Sequence, residues 1–238
     1  MLTSVDLILP CYNPPANWVS NLAASVERLA RLLPHIDLHV LVVNDGSTHG
    51  VGPAEVAHLR ELLPTARYLA YSANQGKGYA LRYGVQHAQH ALCLFTDIDF
   101  PYEEVSVQQV LAALQAGADI AVGSRSPQYY AQVPRARIVI SKLLRRSTHY
   151  LLGLQVSDTQ CGLKGFNARG RAVFLATTIN RYLFDLEFIY LASRPEAGLR
   201  VMPVPVQLRP SVVFSRMNLG VLLTEGSSFL KLLVQRVR

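Results

Sequence analysis

Ala91-Leu92-Cys93-Leu94-Phe95-Thr96-Asp97-Ile98-Asp99 joins a short apolar run to two carboxylates that are one residue apart. A run this short that breaks into polar residues reads as a buried strand whose end opens on a crevice. Paired oxygen ligands at such a place suit a hard divalent cation, Mg²⁺ or Mn²⁺, which commonly bridges protein carboxylate to substrate phosphate. Asp-x-Asp also occurs in solvated turns, and it is the position after a fourth strand that favours the metal reading for Asp97 and Asp99.

Three strand-then-helix patterns precede this stretch: Val5–Leu9 with Leu22–Leu33, Val40–Val43 with Ala54–Leu63, and Tyr68–Tyr71 with Tyr79–Ala88. A helix over Glu103–Ala116 and a fifth strand at Ile120–Val122 follow it. The alternation predicts an α/β fold, a mostly parallel sheet covered by helices on both faces, with ligands at the carboxyl ends of the strands. The second half is less regular. It offers a basic helical stretch Pro134–Leu154, a glycine-containing segment Asp158–Phe166, a helix over Phe184–Ser193, a proline-spaced strand Val201–Leu208 and a helical pattern from Leu219. No linker or repeat divides the chain, so one domain over 1–238 is expected, with a change of character near residue 125.

Half of the 238 residues are hydrophobic and 16% are charged, enough apolar surface for a folded core. The net charge of +7 favours phosphate partners, whether nucleic acid, anionic lipid or a nucleotide. Cys11, Cys93 and Cys161 are odd in number and lack paired metal-ligand spacing, which points to reduced structural thiols. Asp6 and Pro10 interrupt the opening apolar stretch, and Lys142, Arg145, Arg146, Glu225 and Lys231 break the later ones. The expectation is therefore a cytoplasmic chain without signal peptide or transmembrane helix, able to lie on a membrane but not to span it.

The other strand ends carry their own signals. Pro10-Cys11-Tyr12-Asn13-Pro14 puts an aromatic ring and an amide in the crevice, where Tyr12 is suited to pack beside a base. Asn44-Asp45-Gly46-Ser47 places a carboxylate at the mouth of the sheet, fit for a base or ribose and equally for an Asx turn. Asn74-Gln75-Gly76-Lys77-Gly78 opens a helix, where backbone N–H groups and a lysine suit phosphate. The Walker A spacing is missing and no Gly-x-Gly-x-x-Gly follows the first strand, which weighs against ATPase and dinucleotide readings.

Together with Gly123-Ser124-Arg125, Asp158-Thr159-Gln160-Cys161-Gly162-Leu163-Lys164-Gly165-Phe166 and Arg181-Tyr182-Leu183-Phe184-Asp185-Leu186-Glu187-Phe188, these motifs resemble glycosyltransferase family 2 over essentially the whole length. Within the family they look like the dolichyl-phosphate and polyprenyl-phosphate sugar synthases. The Asp-Thr-Gln-Cys-Gly segment followed by Phe-Asp-x-Glu is closer to the glucosyl branch than to the mannosyl one. The resemblance implies a Rossmann-like GT-A fold, with a nucleotide-sugar-binding half over 1–125 and an acceptor- and membrane-facing elaboration over 126–238. It also implies an inverting hexosyltransferase dependent on Mg²⁺ or Mn²⁺, which takes a sugar from UDP-glucose, or GDP-mannose as the other possibility, to a polyprenyl phosphate.

By the same resemblance Asp45 contacts the donor base within a donor site that includes Pro10, Tyr12, Asn13, Asn74 and Gly76. Lys77 and Arg125 face the diphosphate, Asp97 and Asp99 the ribose and metal, and Asp158 the reacting centre. Arg209, Ser215 and Arg216 stand where relatives carry a Ser-Lys pair for the acceptor phosphate, although a solvated basic loop would read the same way. Pro101 departs from relatives that have a side-chain oxygen beside the metal, so water or donor oxygen must complete the shell. Arg135, Arg137, Lys142, Arg145 and Arg146, interleaved with Ile138, Val139, Ile140, Leu143 and Leu144, suit a helix at an anionic membrane surface or a core helix with a solvated face. Leu219–Val234 suits a second interfacial helix or a homo-oligomer contact. Two rival readings stand beside this one: a family-2 enzyme with a soluble saccharide acceptor, and a non-catalytic nucleotide-binding module. Nucleic acid is disfavoured because the acidic pair repels polyanions unless metal intervenes.

Overall fold

The computed structural model describes residues 2–125 and 158–210. The basic stretch Pro134–Leu154, the pattern Leu219–Val234, and Ser215 and Arg216 lie outside the described residues. The strands are β1 Thr3–Cys11, β2 Ile36–Asp45, β3 Arg67–Tyr71, β4 Leu92–Phe95, β5 Ile120–Arg125, β6 Lys164–Phe166 and β7 Val201–Val206. The helices are α1 Trp18–Leu32, α2 Pro53–Leu62, α3 Lys77–Gln86, α4 Glu104–Gln115, α5 Ala168–Leu175 and α6 Phe184–Ala192. None of them is long and apolar enough to cross a membrane.

All seven strands join one sheet in the order β3-β2-β1-β4-β6-β5-β7. β6 runs antiparallel to both neighbours, and every other pair is parallel. This is the mostly parallel α/β sheet that the alternation predicts, with one difference. A three-residue strand separates β4 from β5, with Phe95 opposite Lys164 and Val122 opposite the same lysine. Three residues are too few to display a period, and the partner strands lie far away in sequence, so nothing local marks this segment as a strand. Helix α5 was likewise not expected; Asn167 caps it, accepting from the N–H groups of Arg169 and Gly170.

Strand alternation divides the core in two. Val5, Leu7 and Leu9 of β1 face a layer formed by α1, α2 and α4, where Trp18, Leu22, Leu29, Leu59 and Leu111 pack. Ile8, Leu41 and Val43 face the opposite layer, α3, α5 and α6, with Leu81, Phe174, Phe184 and Phe188. Each fully buried leucine or phenylalanine of this kind contributes roughly 2–3 kcal/mol by leaving water. Because β1, β2, β4, β5 and β7 run the same way, their carboxyl ends gather the motif loops at one edge.

Candidate active site

Asp45 ends β2 and is 3% exposed. Its Oδ1 accepts the Tyr71 hydroxyl at 2.8 Å and the Gln75 N–H at 2.7 Å, while Oδ2 accepts the Asn74 amide at 2.8 Å and the Gly76 N–H at 3.0 Å. Burial first, and then the bond to this carboxylate, hold the Tyr71 hydroxyl well above its ordinary range, so it donates and keeps its proton. Gly46 makes the close approach possible: its φ is 62° and a Cβ there would sit 2.5 Å from the Ala73 carbonyl carbon. From the other side, the Asn180 carbonyl accepts the N–H groups of Gly78 at 2.7 Å and Tyr79 at 3.2 Å. The amides of Gln75, Gly76 and Gly78, in the stretch that the sequence offers to a phosphate, are thus engaged within the protein, as is that of Tyr79. What the loop presents to the crevice is the Lys77 side chain.

That lysine meets the acidic pair. Its ammonium forms an ion pair with Asp97 Oδ1. Burial pulls the Lys77 ammonium down, but Asp97 and Asp185 outweigh it and hold it above the ordinary value. Asp97 is 37% exposed at the side chain, on the loop that leaves β4. Against its other oxygen lies Gly162, where a Cβ would come within 2.7 Å of Oδ2. Tyr102 holds this neighbour, its hydroxyl accepting the Gly162 N–H at 3.0 Å. Asp99 is two residues on and lines a cleft of about 610 Å³ with Pro15, Trp18, Ile98, Phe100 and Arg209. Asp99 is exposed to solvent on one side, yet desolvation by the protein around it and then the Asp97 charge push its carboxyl up, against the opposing pull of Lys77 and Arg209. Among the described residues no third His, Cys, Asp or Glu joins the pair as a metal-binding group.

Arg125 and Asp158 are brought together from positions 33 residues apart. The guanidinium is bidentate, Nε to Oδ2 at 2.6 Å and Nη2 to Oδ1 at 2.6 Å, and the Arg125 N–H adds a third bond at 2.9 Å. Asp158 is 0% exposed, so it lies beneath the crevice and braces Arg125, which closes β5. At the end of β1, the Asn13 Oδ1 accepts the Thr48 N–H at 2.8 Å and its own N–H donates to Ser47 Oγ at 2.9 Å. Tyr12 next to it is half exposed and Pro10 pairs with Val43. Arg209 sits across the Asp99 cleft, its Nη2 2.9 Å from Glu104 Oε1 and its Nη1 3.2 Å from Ser25 Oγ. Arg28 reaches the same Glu104 oxygen at 2.5 Å.

Four buried groups that sequence reasoning gave no role support this edge. Lys164 and Asp185 pair at 2.6 Å. Glu187 accepts the N–H groups of Thr178 at 2.8 Å and Ile179 at 2.7 Å, and Arg82 donates to the Ile179 carbonyl at 2.8 Å. These contacts fix the loop whose Asn180 carbonyl caps α3. The signal was present in Phe184-Asp185-Leu186-Glu187-Phe188, since acids inside an otherwise apolar helix are placed in the core and must be paired there.

The chain is 31% identical over 204 residues to the dolichyl-phosphate beta-glucosyltransferase of Drosophila melanogaster, covering 79% of this chain and 62% of that protein. It is 27% identical to the polyprenol monophosphomannose synthase of Mycolicibacterium smegmatis, covering 93% of this chain and 81% of that one. Among solved structures, mannosyl-3-phosphoglycerate synthase from Rubrobacter xylanophilus superposes with a TM-score of 0.69 at 17% identity, over 99% of this chain and 74% of that one. A Pyrobaculum calidifontis mannosyltransferase in complex with GDP-Man and Mn²⁺ gives 0.57 at 16%, over 86% and 55%. These neighbours establish the sheet and its layers as the GT-A fold. The sequence model of Glycosyl transferase family 2 matches residues 6–170, a span that takes in most of β1, all of β2 to β5 and the motif loops gathered at their ends, and the chain belongs to that family.

Proposed function

We propose that the chain transfers a hexosyl group from a nucleotide-diphosphate sugar to a polyprenyl or dolichyl phosphate, with inversion at the anomeric carbon. UDP-glucose is the donor in this reading and GDP-mannose the alternative, since the relatives named above include a glucosyl and a mannosyl enzyme. The observation that carries it is the Asp97–Asp99 pair at the end of β4, set beside Lys77.

The pair fits a divalent cation. Desolvation and then the Asp97 charge raise the Asp99 carboxyl, and a hard ion would relieve the repulsion through the oxygen ligands it prefers. Asp97 and Asp99 would hold Mg²⁺ or Mn²⁺, and the ion would supply positive charge to stabilise the departing diphosphate. Lys77 and Arg125 supply fixed positive charge to the diphosphate, and Tyr12, Asn13 and the loop built on Asp45, Asn74 and Gly76 shape the nucleoside end. An acceptor phosphate is already anionic near neutral pH, so positioning matters more than a strong base. Asp158, closed off beneath Arg125, serves by orienting that guanidinium. Arg209, with Ser215 and Arg216, receives the acceptor phosphate, and the basic stretch Pro134–Leu154 brings the site to an anionic cytoplasmic leaflet.

The test is transfer from radiolabelled UDP- and GDP-sugars to a short polyprenyl phosphate, with Mg²⁺, with Mn²⁺ and with EDTA. A metal-dependent lipid product from one donor is expected. Donor turnover without a lipid product would replace the lipid by a soluble saccharide acceptor, and transfer that survives EDTA would remove the metal.

A further inference from the structure

Trp18, Asn21, Ser25 and Arg28 recur every three or four residues along α1, and together with Phe100 and Arg209 they line one cleft. Ser25 is buried and donates its hydroxyl to the Asn21 carbonyl at 2.8 Å, which leaves its lone pairs for other donors. It accepts Arg28 Nη2 at 3.0 Å and Arg209 Nη1 at 3.2 Å. Glu104, in the first turn of α4, accepts the same two guanidiniums on one oxygen, Arg28 Nε at 2.5 Å and Arg209 Nη2 at 2.9 Å. Two arginines from opposite ends of the chain are thus held side by side on one wall.

A tie between α1 and α4 needs one cation opposite Glu104. A second guanidinium at the same carboxylate sets like charges against each other, and one carboxylate offsets only one of them. The wall therefore carries an excess of positive charge. Each guanidinium also has more N–H groups than its bonds to Ser25 and Glu104 use, and the planar forks match the oxygens of a phosphate monoester. Trp18 and Phe100 give the cleft an apolar side, with the Arg209 guanidinium 5.9 Å from the centre of the Phe100 ring. A phosphate head on a hydrocarbon tail matches both kinds of wall. Asp99 lines the cleft too, which sets the arginines beside a carboxylate proposed above to hold the metal.

We infer that Arg28 binds phosphate: with Arg209 it forms a receptor of two guanidiniums, braced by Ser25 and Glu104, for the phosphate monoester of a prenyl acceptor. The inference rests on the acceptor reading above and deepens it. It places part of the acceptor site on α1, within the half of the chain that the sequence assigns to the nucleotide-sugar.

Calorimetric titration of the full chain with geranyl phosphate, inorganic phosphate and geraniol tests this. The parent is expected to bind geranyl phosphate more tightly than inorganic phosphate, and geraniol least. Arg28→Met should weaken geranyl phosphate binding roughly tenfold or more, the scale of a lost bond to a charged group. Arg28→Gln, which can still bond Glu104, should weaken it as much, and Arg28→Lys should restore part of the loss. The Arg28 side chain is 45% exposed, so the thermal midpoints should stay within about 2 °C of the parent's. Equal affinity for the two phosphates, both weakened in Arg28→Met, would keep the receptor and assign it to free phosphate instead of lipid. Folded Arg28→Met and Arg28→Gln variants that bind geranyl phosphate as tightly as the parent would overturn the inference and leave Arg28 a strut between α1 and α4. Arg209→Met tells this failure from that of the acceptor reading. If Arg209→Met weakens binding and the Arg28 variants do not, the acceptor reading stands without Arg28. If Arg209→Met binds as the parent does, or the parent binds neither phosphate, the acceptor reading falls and takes the inference with it.

Discussion

Asp99 differs from Asp97 in what surrounds it, although the sequence presents them as twins. Asp97 has Lys77 for a partner, whereas Asp99 lines the cleft, open to solvent, and its carboxyl is pushed up by partial desolvation and by the Asp97 charge. Asp99→Ala removes the carboxylate proposed above to hold the metal, on an exposed loop, and no core contact. Transfer should fall about 100-fold or more, while the thermal midpoint stays within about 2 °C, the range for a substitution away from the core. Unchanged transfer in a folded variant would defeat the metal assignment. Tyr102 makes the opposite case, a residue felt first in stability. It is 6% exposed and its hydroxyl accepts the Gly162 N–H at 3.0 Å, holding the segment that packs on Asp97. Tyr102→Phe strands that N–H in the interior, which should cost about 1–3 kcal/mol in urea unfolding. A loss below about 0.5 kcal/mol, the level of an incidental surface change, would mean the contact does not hold the segment.

At the scale of elements, Asp119 shows how the less regular half is tied to the regular sheet. It stands just before β5, and its carboxylate accepts the Arg200 N–H at 2.9 Å, Arg169 Nη1 at 3.0 Å and Asn167 Nδ2 at 2.9 Å. One side chain thus joins β5, the cap of α5 and the segment leading into β7. Burial opposes the charge, but these bonds outweigh it and hold the carboxyl below its usual range. A carboxylate depressed in the folded state gives stability that is complete above the unfolded value, about 3.9, and is lost as pH falls through the folded value. Asp119→Ala should therefore cost about 2 kcal/mol near pH 7, with the gap to the parent closing below about pH 4. A gap that stays constant down to pH 2 would assign the loss to packing instead. The same elements separate what the sequence reveals from what it hides. Strands β1 to β5 were legible because buried parallel strands read as unbroken apolar runs, and the motifs stood at their ends. Strand β6 was hidden because Lys164-Gly165-Phe166 has neither a period nor a local partner. In the site, residue types were legible and their bonds were not. Asp45 was legible as a carboxylate at the mouth of the sheet, for a ligand or for a turn, but not its bond from Gly76, 31 residues on; Asp158 was legible as a carboxylate near the reacting centre, but not its bonds from Arg125.

Over the whole molecule, the question is whether the two faces of the sheet open as one body, as the expectation of a single domain requires. Adjacent residues serve opposite cores: Leu7 and Ile8 in β1, Leu94 and Phe95 in β4, Ala121 and Ile120 in β5. Peeling the helices from one face would therefore loosen strands that the other face needs. Three buried thiols report on both sides. Cys11 and Cys161 belong to the core under α1, α2 and α4, and Cys93 to the core under α3, α5 and α6. Burial pushes the Cys11 thiol up to about 12 and the Cys93 thiol up to about 11, the latter against the pull of Arg171, so neither forms thiolate readily while packed. Alkylation then proceeds through transient opening, and its rate measures the free energy of the opening that exposes each site. Following the three cysteines separately by peptide mass spectrometry under native conditions should give rates for Cys11 and Cys93 within about tenfold of each other, equivalent to about 1.4 kcal/mol. If Cys93 reacted about 1,000-fold faster than Cys11, a gap of about 4 kcal/mol, the layer of α3, α5 and α6 would open alone. The shared strands would then not bind the two cores into one cooperative unit.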